Sequence, residues 1–114
     1  MEYALFTIPI ISGKTDAARG FLTELEENRK PDYAASERRL GITKEVWALQ
    51  SGPDGDRYVV FFQSESIPAS VEQFIDSKDA FDLWFKERVK ETTGVDLNSP
   101  LPGPLSEVLS VYEA

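Results

Sequence analysis

Apolar residues recur every two positions in some stretches of this chain and every three to four in others, and the change of period divides it into elements. Between Tyr3 and Ile11, Ala4, Phe6, Ile8 and Ile10 alternate with Tyr3, Leu5 and Thr7, and Ser12-Gly13 stops the run, which predicts a strand. From about Lys14 to Arg29 the period lengthens, with Ala18, Phe21, Leu22 and Leu25 on one helical face and Gly20 as an internal weak point. Pro31 ends that helix or starts another, because proline is accepted in a first turn and not in the interior. Residues 31–40 predict a short second helix closed by Gly41.

A second strand is predicted from about Ile42 to Gln50, where Val46, Trp47, Ala48 and Leu49 put apolar groups on both faces. The turn SGPDGD, residues 51–56, joins it to RYVVFFQ, residues 57–63, as an antiparallel hairpin. Ser66 and Pro68 open a helix with the stripe Val71, Phe74 and Ile75, and Asp76-Ser77 breaks it. Asp79 then starts a helix carrying Phe81, Trp84, Phe85 and Val89, which Gly94 ends. Residues 95–105 hold three prolines and read as a stiff, extended connection, and Ser106 to Tyr112 reads as a last strand.

The order strand, helix, strand, strand, helix, strand is the split βαβ of a ferredoxin-like fold. The expected architecture is one α+β domain over residues 1–114, a four-stranded antiparallel sheet with its helices on one face. RYVVFFQ is apolar on both faces: Tyr58, Val60 and Phe62 point one way, Val59 and Phe61 the other. One face packs on helices, so the other calls for a second cover. Burial of large apolar side chains contributes about 1.5–3 kcal/mol each, enough to drive self-association, and a homodimer through the open sheet face is expected.

Composition narrows the partners. The chain has 114 residues, 41% of them hydrophobic, and a net charge of −8, so it has the means for a core and repels phosphate backbones and anionic membranes. Neither nucleic acid nor membrane is an expected partner. Histidine and cysteine are both absent. That excludes Ser-His and Cys-His nucleophiles, imidazole ligation of haem or zinc, and thiolate chemistry. No P-loop, GxGxxG or EF-hand loop occurs, so no cofactor and no metal is expected. An acidic start, no signal-like segment and no run of roughly 18 apolar residues predict a cytoplasmic protein.

Candidate chemistry concentrates in KPDYAASERRLG, residues 30–41. Tyr33 and Glu37 lie one helical turn apart with Arg38 and Arg39 beside them, a set that beside a pocket would bind a carboxylate or stabilise an enolate. The plainer account is helix-end electrostatics, since cations favour a helix C-terminus. Trp47 and Trp84 offer flat faces to planar ligands, although both sit where periodicity expects core. Asp82 and Lys86, four residues apart, read as a surface ion pair.

With the segments PIISGKT, ERRLGITKEVW, FDLWFK, TGVDLN and PGPLSE, the chain resembles the dimeric α/β-barrel superfamily, and within it a small actinobacterial-type family of unknown function. The resemblance implies two ferredoxin-like protomers packed sheet to sheet, with any substrate held between sheet and helices. It also implies the activities of cofactor-independent monooxygenases or isomerases, although relatives that rely on a histidine ligand or base are excluded. The expected function is therefore a homodimeric protein binding a small organic ligand. The alternatives are a cofactor-independent monooxygenase or isomerase acting on a small aromatic or carboxylate metabolite, and a purely structural dimer. Whether the protein is an enzyme stays open at this point. Tyr33, Glu37, Arg38, Trp47 and Trp84 are the candidate ligand contacts.

Overall fold

The computed structural model describes residues 1–114. Its elements are β1 (Glu2–Pro9), α1 (Thr15–Glu27), α2 (Lys30–Leu40), β2 (Ile42–Gly52), β3 (Gly55–Ser64), α3 (Ile67–Asp76) and α4 (Ala80–Thr93). The strands form one three-stranded antiparallel sheet in the order β1-β3-β2. RYVVFFQ, the most apolar strand, takes the central place, where each neighbour supplies a full ladder of backbone hydrogen bonds.

Alternation assigns the two faces. Ala4, Ile8, Tyr58, Val60 and Phe62 are buried beneath the helices, together with Phe21 and Leu25 of α1 and Phe81, Phe85 and Val89 of α4. Phe85 is the hub of this layer, its ring lying 5.2–5.3 Å from those of Phe21 and Trp47 in edge-to-face geometry. The opposite face carries no helix and leaves Leu5 and Val46 exposed.

The helix boundaries follow local chemistry. Gly41 and Gly94 close α2 and α4 at φ +73° and +79°, a left-handed conformation that glycine adopts without steric cost. Ser66 accepts a hydrogen bond from the Ala69 amide and Glu2 accepts one from the Ile67 amide, so β1 helps to cap α3. The Asp79 carboxylate caps α4 through the Phe81 amide.

Two expectations are corrected. The sheet has three strands rather than the four of a ferredoxin-like split βαβ, and the dimeric α/β-barrel architecture that depended on four falls with it. Residues 106–112 form no strand: the Ser106 amide donates to the Leu5 carbonyl at 2.8 Å and no further rung follows. The physical reason lies upstream, where Pro100, Pro102 and Pro104 fix the approach of the chain and lack amides to build a ladder. The preceding segment instead folds inward, with Leu97 buried and Leu101 and Leu105 partly buried against the core.

The second correction concerns Asp82 and Lys86, which are 0% and 2% exposed rather than on the surface. They are not paired with each other. Asp82 accepts hydrogen bonds from Ser36, from Ser77 at 2.5 Å and from Arg39 at 3.2 Å, while Lys86 donates to the carbonyls of Ile75 and Ser77 and to Asn98 Oδ1 at 3.0–3.2 Å. The two side chains thereby pin α2, the α3–α4 junction and residue 98 to α4. No helix is long and apolar enough to cross a membrane.

Candidate functional site

Between the inner sheet face, α2, α3, α4 and residues 97–105 lies a cavity of about 80 Å³, several times the roughly 10–15 Å³ that one water needs. Its walls are mostly apolar: Phe6, Val60 and Phe62 from the sheet, Phe74 from α3, and Phe81 and Phe85 from α4. Close packing leaves few such voids in a domain, so a space of this size at the centre of the fold costs dispersion contacts along its whole lining.

Two carboxyl groups enter this apolar space. On α2, residues 33, 36, 37 and 40 share the cavity face because 3.6 residues complete a turn, and Glu37 arrives there one turn after Tyr33. Glu45 comes from β2. Ile42 and Glu45 both line the cavity although they are an odd number of positions apart, which simple alternation forbids. A β-bulge at Thr43, between the partner pairs Ile42↔Ser64 and Lys44↔Gln63, inserts the extra residue that turns Glu45 inward beside Trp47.

The two acids are held differently. Glu45 Oε2 accepts from the Tyr33 hydroxyl and from Trp47 Nε1 at 3.1 Å. Glu37 Oε2 is buried with no hydrogen-bond partner. Burial pushes the Glu37 carboxyl up to about 9, with the neighbouring Glu45 and then Asp82 adding to the effect. Burial also raises Glu45, to about 7, against the lowering influence of the Tyr33 and Trp47 bonds. Tyr33 is driven well above the ordinary phenol range by burial and then by the Glu45 charge, so it acts as a donor. Near neutral pH the cavity therefore holds one carboxylic acid, Glu37, and one partly ionised carboxylate, Glu45, on its apolar wall.

Of the residues expected from the sequence, the structure brings Tyr33, Glu37 and Trp47 together around the cavity. Arg38 is exposed and does not line it, because one further residue rotates the side chain about 100° around α2, out to solvent. Trp84 also lies outside the cavity. It packs between Phe21 and Phe81, with ring centroids 5.6 Å from each, and the Arg29 guanidinium sits 4.3 Å above its ring. That arrangement is a cation–π contact on the α1 side of α4.

Glu45 is a cavity-lining acid that is not among the candidates expected from the sequence. The available signal was a single acid in the row Glu45, Trp47, Leu49, whose other members are apolar. No group of three or more acidic residues converges in a way that would hold a metal ion.

Compared with protein-family models, with curated proteins and with solved structures, the chain matches none.

Proposed function

We propose that the protein binds a small organic ligand in the cavity between sheet and helices. The observation that supports this most is the buried, unpartnered Glu37 oxygen on the wall of an apolar cavity. An unpaired buried polar atom costs about 1–3 kcal/mol, and a leucine at the same place would fill the space without that cost. A cavity that holds two acids in this way weakens the fold, and a bound ligand that satisfies them returns the loss. Thermal-shift screening of small aromatic compounds tests the proposal. At least one compound should raise the melting temperature of the wild type, and Val71→Phe, which fills the cavity from its half-buried place on α3, should abolish the rise. A variant that responds like the wild type, or a broad library without a hit, counts against the site.

A cofactor-independent isomerase is the second reading, favoured by the two carboxyls of separated proton affinity, about 9 and about 7. Glu45 would remove a proton next to a carbonyl while Glu37 donates one to the carbonyl oxygen. The acidic lining disfavours a carboxylate metabolite as the substrate, since Arg38 is not there to pair it.

The open sheet face supports a second copy of the chain as partner. Its central rows are Leu5, Phe61, Val46 and Thr7, Val59, Ala48, with Arg57 and Lys44 in the flanking rows. No acid stands on this face in a chain that carries 20 Asp and Glu. Two copies can therefore meet there without the repulsion of their net charges of −8. Light scattering at micromolar concentration should give twice the 12.8 kDa of the chain, and Phe61→Glu should return it to a single chain. A wild-type monomer would remove this part of the proposal.

A further inference from the structure

Building on the cavity as a ligand site, we infer that its ligand is an organic cation, a small aromatic amine whose ammonium group sits between Glu37 and Glu45 and whose ring lies against Trp47, Phe74 and Phe85. The charged residues lining the cavity are these two acids, and no lysine or arginine lines it. An anionic ligand would meet like charge in a low-dielectric space, which is the least favourable of the three charge types.

The hydrogen-bond inventory agrees with a donor-rich ligand. Glu37 Oε2 is a buried acceptor with nothing bound to it. Both bonds to Glu45 fall on Oε2, which leaves Oε1 as a second acceptor. An ammonium group carries three donors and no acceptor, so it can serve both oxygens at once, whereas a neutral alcohol brings one donor. The walls add to this, because cations are attracted to the faces of Trp, Tyr and Phe, most strongly where water is excluded. The chain's net charge of −8 draws cations toward the protein before they reach the site.

The proton balance is explicit. Glu37 holds a proton up to about pH 9 in the free protein, so an entering ammonium group forms its ion pair by releasing that proton to solvent, while Glu45 already carries charge above about pH 7. The titratable groups facing this pair are Tyr33 on α2 and Asp82 on α4, and the lining residues from β3, α3 and 97–105 carry none. Affinity therefore rises as pH increases from about 6 to about 8.5, because Glu45 ionises across this range, the proton that binding displaces from Glu37 becomes easier to release, and the amine keeps its own.

Isothermal titration with 2-phenylethylamine, 2-phenylethanol and phenylacetate, in buffers of different ionisation enthalpy, distinguishes the outcomes. The amine should bind about tenfold or more tightly than the alcohol, with proton release, and phenylacetate should not bind. Glu37→Gln and Glu45→Gln should each remove most of the amine's advantage over the alcohol. Amine and alcohol binding equally, with the Gln variants unaltered, overturns the cation assignment and keeps the cavity as a ligand site. Binding by none of the three overturns both.

Discussion

Asp82→Ala should lower the stability of the fold by about 3 kcal/mol, the sum of several lost bonds to a charged acceptor, and the melting temperature by about 10–15 °C. The residue is completely buried and accepts from Ser36, Ser77 and Arg39, so its loss leaves two hydroxyls facing an empty space among α2, α4 and the α3–α4 junction. Arg39 limits the damage, because its side chain is 44% exposed and also contacts Asp79 at 3.1 Å. Asp82→Asn keeps one accepting oxygen and should recover about half of the loss. Chemical denaturation checks the order wild type, Asn, Ala, and a loss under about 1 kcal/mol for Ala would show that the bonds to Asp82 are dispensable.

Glu37→Gln should act in the opposite direction, stabilising the protein at alkaline pH. The folded-state value of this carboxyl is raised from 4.5 to about 9, so the folded chain holds the proton more tightly than the unfolded one does. Its contribution is fully present below about pH 4.5 and is lost as pH rises through about 9. Glutamine is a neutral isostere that does not titrate. Variant and wild type should therefore melt together near pH 4.5, and the variant should gain about 5 °C or more by about pH 8.5, the shift expected from roughly 1 kcal/mol in a domain of this size. Parallel melting curves at all pH values would show that Glu37 is solvated in the folded protein.

The contrast between these two acids explains why the site was only half legible. In the sequence Asp82, four residues before a lysine, reads as half of a surface ion pair, and Glu37, four after a tyrosine, reads as a candidate ligand contact with helix-end electrostatics as the plainer account. Helical spacing places Tyr33 and Glu37 on one face, and that much of the site follows from residue order alone. Spacing does not say what the face meets. For Asp82 it meets three donors, which makes it a structural anchor. For Glu37 it meets a void, which makes it a candidate binding group.

Arg38 shows the same limit from the other side. Proximity in sequence suggested a carboxylate clamp, but a helix separates adjacent side chains by about 100°, and the arginine went to solvent. Glu45 was obscured because Val46, Trp47, Ala48 and Leu49 make both faces of β2 apolar in the sequence, and because the bulge at Thr43 breaks the count of faces from Ile42. The expected fourth strand failed for a related reason. Ser106 to Tyr112 has strand-like composition, but pairing needs an approach that delivers consecutive amides to the edge of β1, and the chain makes one bond there.

By itself the sequence determined the elements that rest on local periodicity and punctuation: β1, the hairpin of β2 and β3, four helices with glycine ends for α2 and α4 and an aspartate start for α4, and the division of β3 into the faces Tyr58, Val60, Phe62 and Val59, Phe61, of which burial in the fold made the first the inner one. It also closed off histidine and cysteine chemistry. The tertiary structure alone decided the strand count, the burial of Asp82 and Lys86, and the meeting of Glu37 with Glu45 in an apolar cavity. Period and capping are properties of neighbours in the chain, whereas burial, pairing and proton affinity depend on which distant elements close around a side chain.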